Sequence, residues 1–227
     1  NQKINNLIVC SKGIAENGEF VSTIITKKLN CKNYHFLSGP SFADEVIYGK
    51  PTALSLSSQK INKNIGNIFK DTNIRIYYSE DLKTLEFLGI IKNIYAIGAG
   101  VIDAESLGQN ARAAYITRCI AEIKSMLKLL NFNTNMIYSL GGVGDLILSC
   151  SSSKSRNYKF GYNFVTKNKI LTNFKTIEGL NSCLNIKKNK KIKINKLPII
   201  NSIIKIINGS QPKKEIKNLL NRKFRKE

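Results

Sequence analysis

Residues 88–102 read L-G-I-I-K-N-I-Y-A-I-G-A-G-V-I. The segment is apolar at nearly every position, on every face a helix would present. A helix of that kind is buried all round. It carries Lys92 and Asn93 and is too short to cross a bilayer, so it is expected to be a core helix. Lys92 is the sharpest single residue in the chain. A buried lysine that stays charged and unpaired is costly, so its pKa falls. An amine tuned in that way can serve as a general acid or base. The alternative is a lysine reaching out from the helix edge. Asn93 beside it can orient a substrate oxygen, or it is a solvated or capping amide.

Upstream of this helix, strand and helix signals alternate. Residues 4–10 read as a buried strand, 19–29 as a helix, 34–37 and 52–57 as strands, 59–70 as a helix and 74–78 as a strand. That alternation predicts a parallel α/β sheet. From about Ser79, a candidate N-cap, strand signals almost vanish. Helices are expected over 82–103, 110–130, 143–150, 156–167, 176–191, 199–207 and 212–225. The predicted fold class is therefore an α/β, partial Rossmann-like domain over residues 1–79, followed by an all-α domain over 80–227. A doubly wound nucleotide domain opens with a strand, a G-x-G-x-x-G turn and a helix. None of that occurs here, and the chain opens on Asn1 rather than Met. The α/β part thus reads as the later strands of such a domain, and the chain as a fragment.

The 227 residues carry a formal net charge of +21. Such a balance can mark a nucleic-acid partner. Much of the excess lies in stretches such as N-I-K-K-N-K-K-I-K-I-N-K (185–196), which holds no aromatic residue. Lys, Asn and Ile all have codons built only of A and T, so an AT-rich genome produces this signature without a binding role. Five scattered cysteines with no C-x-x-C pair fit a reducing, cytoplasmic setting rather than a disulfide framework or zinc site. The sole histidine, His35, has no partner at metal-ligand spacing, so no metal is expected and the base is expected not to be histidine.

Downstream, residues 139–161 read S-L-G-G-V-G-D-L-I-L-S-C-S-S-S-K-S-R-N-Y-K-F-G. A glycine cluster runs into Asp145, and the polar tail ends in Ser155, Arg156 and Asn157. Glycines let a backbone approach closely, and a fixed cation with several donors suits an anionic oxygen. A glycine loop followed by an amphipathic helix is the plainer reading. Asp145 could cap that helix, or bond a substrate hydroxyl or the lysine. Lys12 follows the first strand, at the edge where α/β sheets bind ligands, or is an ordinary loop lysine. The turn S-G-P-S-F-A (38–43) opens a helix whose free amides could hold an anion. Asp103, Asn110, Arg112 and Arg118 read as capping and packing residues with a role in a dimer.

Taken in order, S-K-G (11–13), L-S-G-P-S-F-A-D-E-V (37–46), G-K-P-T-A (49–53), R-I-Y-Y-S-E-D-L (75–82), L-G-I-I-K-N-I-Y-A-I-G-A-G (88–100), G-Q-N-A-R-A-A-Y-I-T-R (108–118), G-G-V-G-D-L-I-L-S-C (141–150), S-R-N-Y-K-F-G (155–161), I-E-G (177–179) and L-P-I (197–199) form a specific set. The chain resembles, over nearly its whole length, the bacterial NAD(P)-dependent sn-glycerol-3-phosphate dehydrogenases. The resemblance implies an NAD(P)H-dependent interconversion of dihydroxyacetone phosphate and sn-glycerol 3-phosphate, feeding phospholipid synthesis. It implies Lys92 as the catalytic acid/base. Lys12, Gly39, Ser41, Asn93, Asp145, Ser155, Arg156 and Asn157 would hold the substrate. Lys12, Ala43, Arg156, Thr176 and Glu178 would line the cofactor. A homodimer and no specific nucleic-acid partner are further expectations. So is inactivity of this fragment alone, since the pyrophosphate loop is missing.

The sequence departs from the family at Ser149-Cys150, where a Thr-Cys pair is usual, and between Leu184 and Leu197, which has drifted toward Lys and Asn. A basic nucleic-acid-binding protein and a related β-hydroxyacid dehydrogenase are the alternatives. The second would share the Lys-Asn pair but leaves S-R-N unexplained.

Overall fold

The computed structural model describes residues 3–167 and 177–223. Four strands form one sheet in the order β1 (Ile4–Val9), β2 (Cys31–Ser38), β3 (Thr52–Ser58), β4 (Ile74–Ser79). Between them run α1 (Val21–Lys28), α2 (Ala43–Ile47) and α3 (Lys63–Gly66). The helical part follows as α4 (Leu82–Ala104), α5 (Gly108–Leu129), α6 (Asp145–Ser151), α7 (Arg156–Thr166), α8 (Glu178–Asn185), α9 (Pro198–Ile207) and α10 (Pro212–Leu220).

The sheet is mixed rather than parallel throughout. β1 and β2 run parallel, as do β3 and β4, but β2 and β3 pair antiparallel, Ser38 opposite Ser55 and His35 opposite Ser58. The connection over residues 39–51 holds only the five-residue α2. It turns the chain back at the same end of the sheet, where a parallel crossover needs a longer helix to return along the strands. The helix expected over 59–70 is also shorter, α3 followed by a 3-10 turn at Asn67–Phe69.

The buried helix read from residues 88–102 is the middle of α4. At 23 residues α4 is long and apolar enough to cross a bilayer, so the length argument fails for the whole element. Its apolar window is nonetheless wholly buried inside the protein. The cap differs too: Asp81, not Ser79, accepts from Thr84 N at 3.2 Å, while Ser79 Oγ accepts from Asp81 N at 3.0 Å.

α4 starts beside the sheet, where Val9, Ile25, Phe36, Leu82 and Leu85 form a small core. It ends inside a larger core shared with α5 to α9. One carboxylate ties that core together. Glu122 on α5 accepts from Tyr95 Oη on α4 at 3.1 Å and from Ile199 N and Ile200 N, at 2.9 and 3.0 Å, in the first turn of α9. Helix N-termini need such acceptors.

Glycine sets how closely α4 and α7 approach. A Cβ on Gly100 would lie 2.1 Å from Tyr158 O, and one on Gly161 would lie 2.0 Å from Ile97 O. Each helix therefore contributes a glycine at which the other's backbone sits. Of the expected elements, the start of the helix over 176–191 and the end of that over 212–225 lie outside the described residues.

Candidate active site

The centre of the site is Asp145, the first residue of α6, only 2% exposed. Its Oδ2 lies 2.7 Å from Lys12 Nζ and its Oδ1 2.9 Å from Lys92 Nζ. A carboxylate so buried survives as an ion only when paired. Two ammonium groups against one carboxylate leave one positive charge, which favours an oxygen that gains negative charge. Lys92 also donates to Ser149 Oγ at 2.9 Å. Burial pushes the Lys92 pKa below the usual lysine value; Asp145 opposes the shift and the Lys12 charge adds to it.

Each side chain is delivered by a local feature. Lys12 lies just beyond β1, and its stem runs along Gly89, where a Cβ would come within 3.3 Å of Lys12 Cγ. Lys92 projects from the middle of α4. Asp145 is carried by the glycine cluster. A Cβ on Gly141 would lie 2.1 Å from Leu85 Cδ1, and one on Gly142 2.3 Å from Ile137 O. Gly141 and Gly142 thus approach the protein's own core, and α6 packs against α4.

A second network lies alongside. Asn93 Nδ2 donates to Glu178 Oε2 at 3.0 Å, Asn157 Nδ2 donates to Asn93 Oδ1 at 2.9 Å, and Gly179 N donates to Asn157 Oδ1 at 2.9 Å. It joins α4, α7 and α8. Glu178, expected along the cofactor, is thereby linked directly to Asn93.

Ser155, Arg156 and Asn157 do not form one exposed cradle. Ser155 is buried and caps α7, accepting from Tyr158 N at 3.3 Å. Asn157 is buried in the network just described, and Arg156 alone of the three is exposed. The turn after β2 forms the facing wall. Gly39 has φ +153, which favours glycine, and a Cβ there would pack tightly, 3.0 Å from Leu54 Cδ2. Ser41 is exposed and donates to Gly39 O at 3.2 Å; Ala43, also exposed, begins α2. Thr176 lies outside the described residues.

Two hydroxyls missing from the expected set reach Asp145. Ser149 is four residues further along α6, its Oγ 3.5 Å from Asp145 Oδ1. That i, i+4 spacing is legible in sequence. Ser38, at the end of β2, comes within 3.5 Å of Asp145 Oδ2, a contact with no sequence signal. Asp103 pairs with Arg112 at 2.7 Å and with Tyr158 Oη, contacts within the chain. His35 is buried in β2, where burial lowers its pKa.

Residues 2–64 match the family model for the NAD-dependent glycerol-3-phosphate dehydrogenase N-terminus, and residues 81–218 that for the C-terminus. A glycerol-3-phosphate dehydrogenase [NAD(P)+] of Campylobacter jejuni subsp. doylei is 35% identical over 225 residues, which are 96% of this chain and 75% of that protein. The crystal structure of glycerol-3-phosphate dehydrogenase from Coxiella burnetii superposes with a TM-score of 0.84 at 28% identity, covering 96% of this chain and 69% of that one. The Plasmodium falciparum glycerol-3-phosphate dehydrogenase structure shares the fold, with a TM-score of 0.83 at 21% identity over 97% of this chain and 66% of its own.

Proposed function

Because the chain belongs to the NAD-dependent glycerol-3-phosphate dehydrogenase family, we propose that its buried Lys12–Asp145–Lys92 cluster is where dihydroxyacetone phosphate and sn-glycerol 3-phosphate are interconverted. The family is one of NAD(P)-dependent oxidoreductases, and NAD(P)H is the cofactor. The residues present fit the reacting end of that cofactor. The carboxyl ends of β1 and β2 lie together, Val9 opposite Phe36, with Lys12 and the Ser38–Gly39 turn just beyond. Sheets of this kind bind nucleotides at that edge. Lys12, with the exposed Ala43 and Arg156 and the half-buried Glu178, would hold the nicotinamide half; Thr176 completes the set read from the resemblance.

When bound, the reduced nicotinamide supplies a hydride to C2 of dihydroxyacetone phosphate. The C2 oxygen then needs one proton. The Lys92 ammonium donates it from Nζ, and the C2=O double bond becomes a C–OH. In the reverse direction neutral Lys92 takes that proton back. Asp145 holds Lys92 and Lys12 in place, and Lys12 stabilises the charge developing on the oxygen. Ser149 fixes the Lys92 rotamer. The phosphate would sit at the α7 N-terminus, where Arg156 and free backbone amides favour an anion. In the organism this chemistry would supply glycerol 3-phosphate for phospholipid synthesis.

The single observation that carries the reading is one buried carboxylate bridging two lysines from different domains. Lys92→Ala tests it in the active enzyme. Turnover of dihydroxyacetone phosphate should fall by about 10²–10⁴, the usual contribution of a positioned acid/base, with the helical circular dichroism unchanged. Lys92→Arg should not rescue, because a guanidinium does not give up its proton near neutral pH. Turnover close to wild type in either variant refutes the role.

A further inference from the structure

Lys154 has no part in the family reading, yet it makes the densest surface ion pairing beside the site. Its Nζ lies 2.9 Å from Asp44 Oδ2 and 2.8 Å from Glu45 Oε1, and 5.7 Å from the centroid of the Phe42 ring. The partners are 109 residues apart in sequence, counted to Glu45. Asp44 and Glu45 form the first turn of α2, directly after Ser41 and Ala43. Lys154 lies in the short link between α6 and α7, directly before Ser155 and Arg156. Asp145 anchors that link upstream, in the lysine cluster, and Asn157 anchors it downstream, in the Asn93 network.

We propose that Lys154 is a positioning residue that staples the two walls of the substrate cleft across its mouth. One wall is the Gly39–Ala43 turn of the α/β domain, the other the α7 N-terminus of the helical domain. The staple has a geometric effect and an electrostatic one. It holds the free tip of the α6–α7 link against α2, which sets where Arg156 stands. It also offsets one of the two negative charges that Asp44 and Glu45 would otherwise present to an incoming phosphorylated substrate, and like charge at a binding mouth opposes an anion. All three side chains are about half exposed, so the pairs add little to global stability. Their influence is on the cleft.

The electrostatic effect rests on the functional reading above; the staple does not. Two measurements separate them. Amide exchange in the ligand-free protein should quicken at residues 43–47 and 152–155 in Lys154→Glu. It should return to wild type in the triple reversal Asp44→Lys/Glu45→Lys/Lys154→Glu, which restores the pairing with signs exchanged. Exchange unchanged in Lys154→Glu, or no recovery in the triple variant, overturns the staple whatever the substrate proves to be.

In the active enzyme, Lys154→Glu should raise KM for dihydroxyacetone phosphate about tenfold at low salt while kcat changes less than about twofold, a difference that shrinks as salt screens it. Lys154→Arg should stay near wild type. A KM that does not move refutes the electrostatic role. Exchange that responds in Lys154→Glu, in an enzyme that carries its pyrophosphate loop and still does not turn over dihydroxyacetone phosphate, upholds the staple and refutes the functional reading.

Discussion

At the scale of single residues, the site depends on one competition. Burial drives Lys92 toward its neutral form, and Asp145 at 2.9 Å drives it back. In the role proposed for Lys92, reduction would consume the protonated amine, so its rate should fall as pH rises through the lowered pKa, while oxidation gains over the same range. Asp145→Asn removes the opposing anion and leaves Lys12 and Lys92 facing each other. The Lys92 pKa then drops further, and the alkaline limb of kcat/KM for reduction moves to lower pH. A pH profile of the variant measures this; a limb that stays put, or moves up, contradicts the assignment. Lys92 itself was legible in sequence, because a lysine inside an apolar helix has few explanations. Its partner was only half legible, since Asp145 could as well have capped a helix. It does open α6, and it also bridges two lysines. The partner of Asn157 was not legible at all. Asn157 stands next to Arg156 in the chain, but one helical step turns it inward to Asn93.

At the scale of elements, α4 organises the molecule, and its crossing with α7 decides whether the two site networks meet. The reciprocal pair Gly100 and Gly161 leaves no space for a methyl group on either helix. Gly161→Ala should force the helices apart, destabilise the protein by about 1–3 kcal/mol as overpacking does, and lower turnover by moving Asn157 off Asn93. Urea denaturation and kcat/KM read the two effects separately. Loss of stability with full activity would show that the crossing does not position Asn157. The periodicity of residues 88–102 announced a buried helix, and the crossing could not be read from it, because glycine at a helix crossing looks in sequence like any other glycine. The antiparallel β2–β3 pair was missed for a related reason. Strand patterns carry no direction, and only the short return through α2 sets it.

At the scale of the whole molecule, the net charge of +21 is the most conspicuous property and the least connected to the chemistry. Counterion release predicts weak binding to any polyanion at low salt, with affinity falling by orders of magnitude between roughly 50 and 200 mM salt. Heparin and DNA of unrelated sequences should behave alike in a salt titration. Selective binding to one DNA sequence that persists at high salt would favour the nucleic-acid alternative instead.

The two-domain order, the buried helix and the motif set were determined by the sequence alone, since periodicity and residue type are local properties. Tertiary structure alone decided that Lys12, Lys92 and Asp145 converge, that Ser38 joins them, and that Lys154 reaches across to α2. These residues come from the loop after β1, from α4, α6 and β2, and from the α6–α7 link. No local pattern encodes the distance between them. That distance is set by how the packed cores on either side of α4 place those elements.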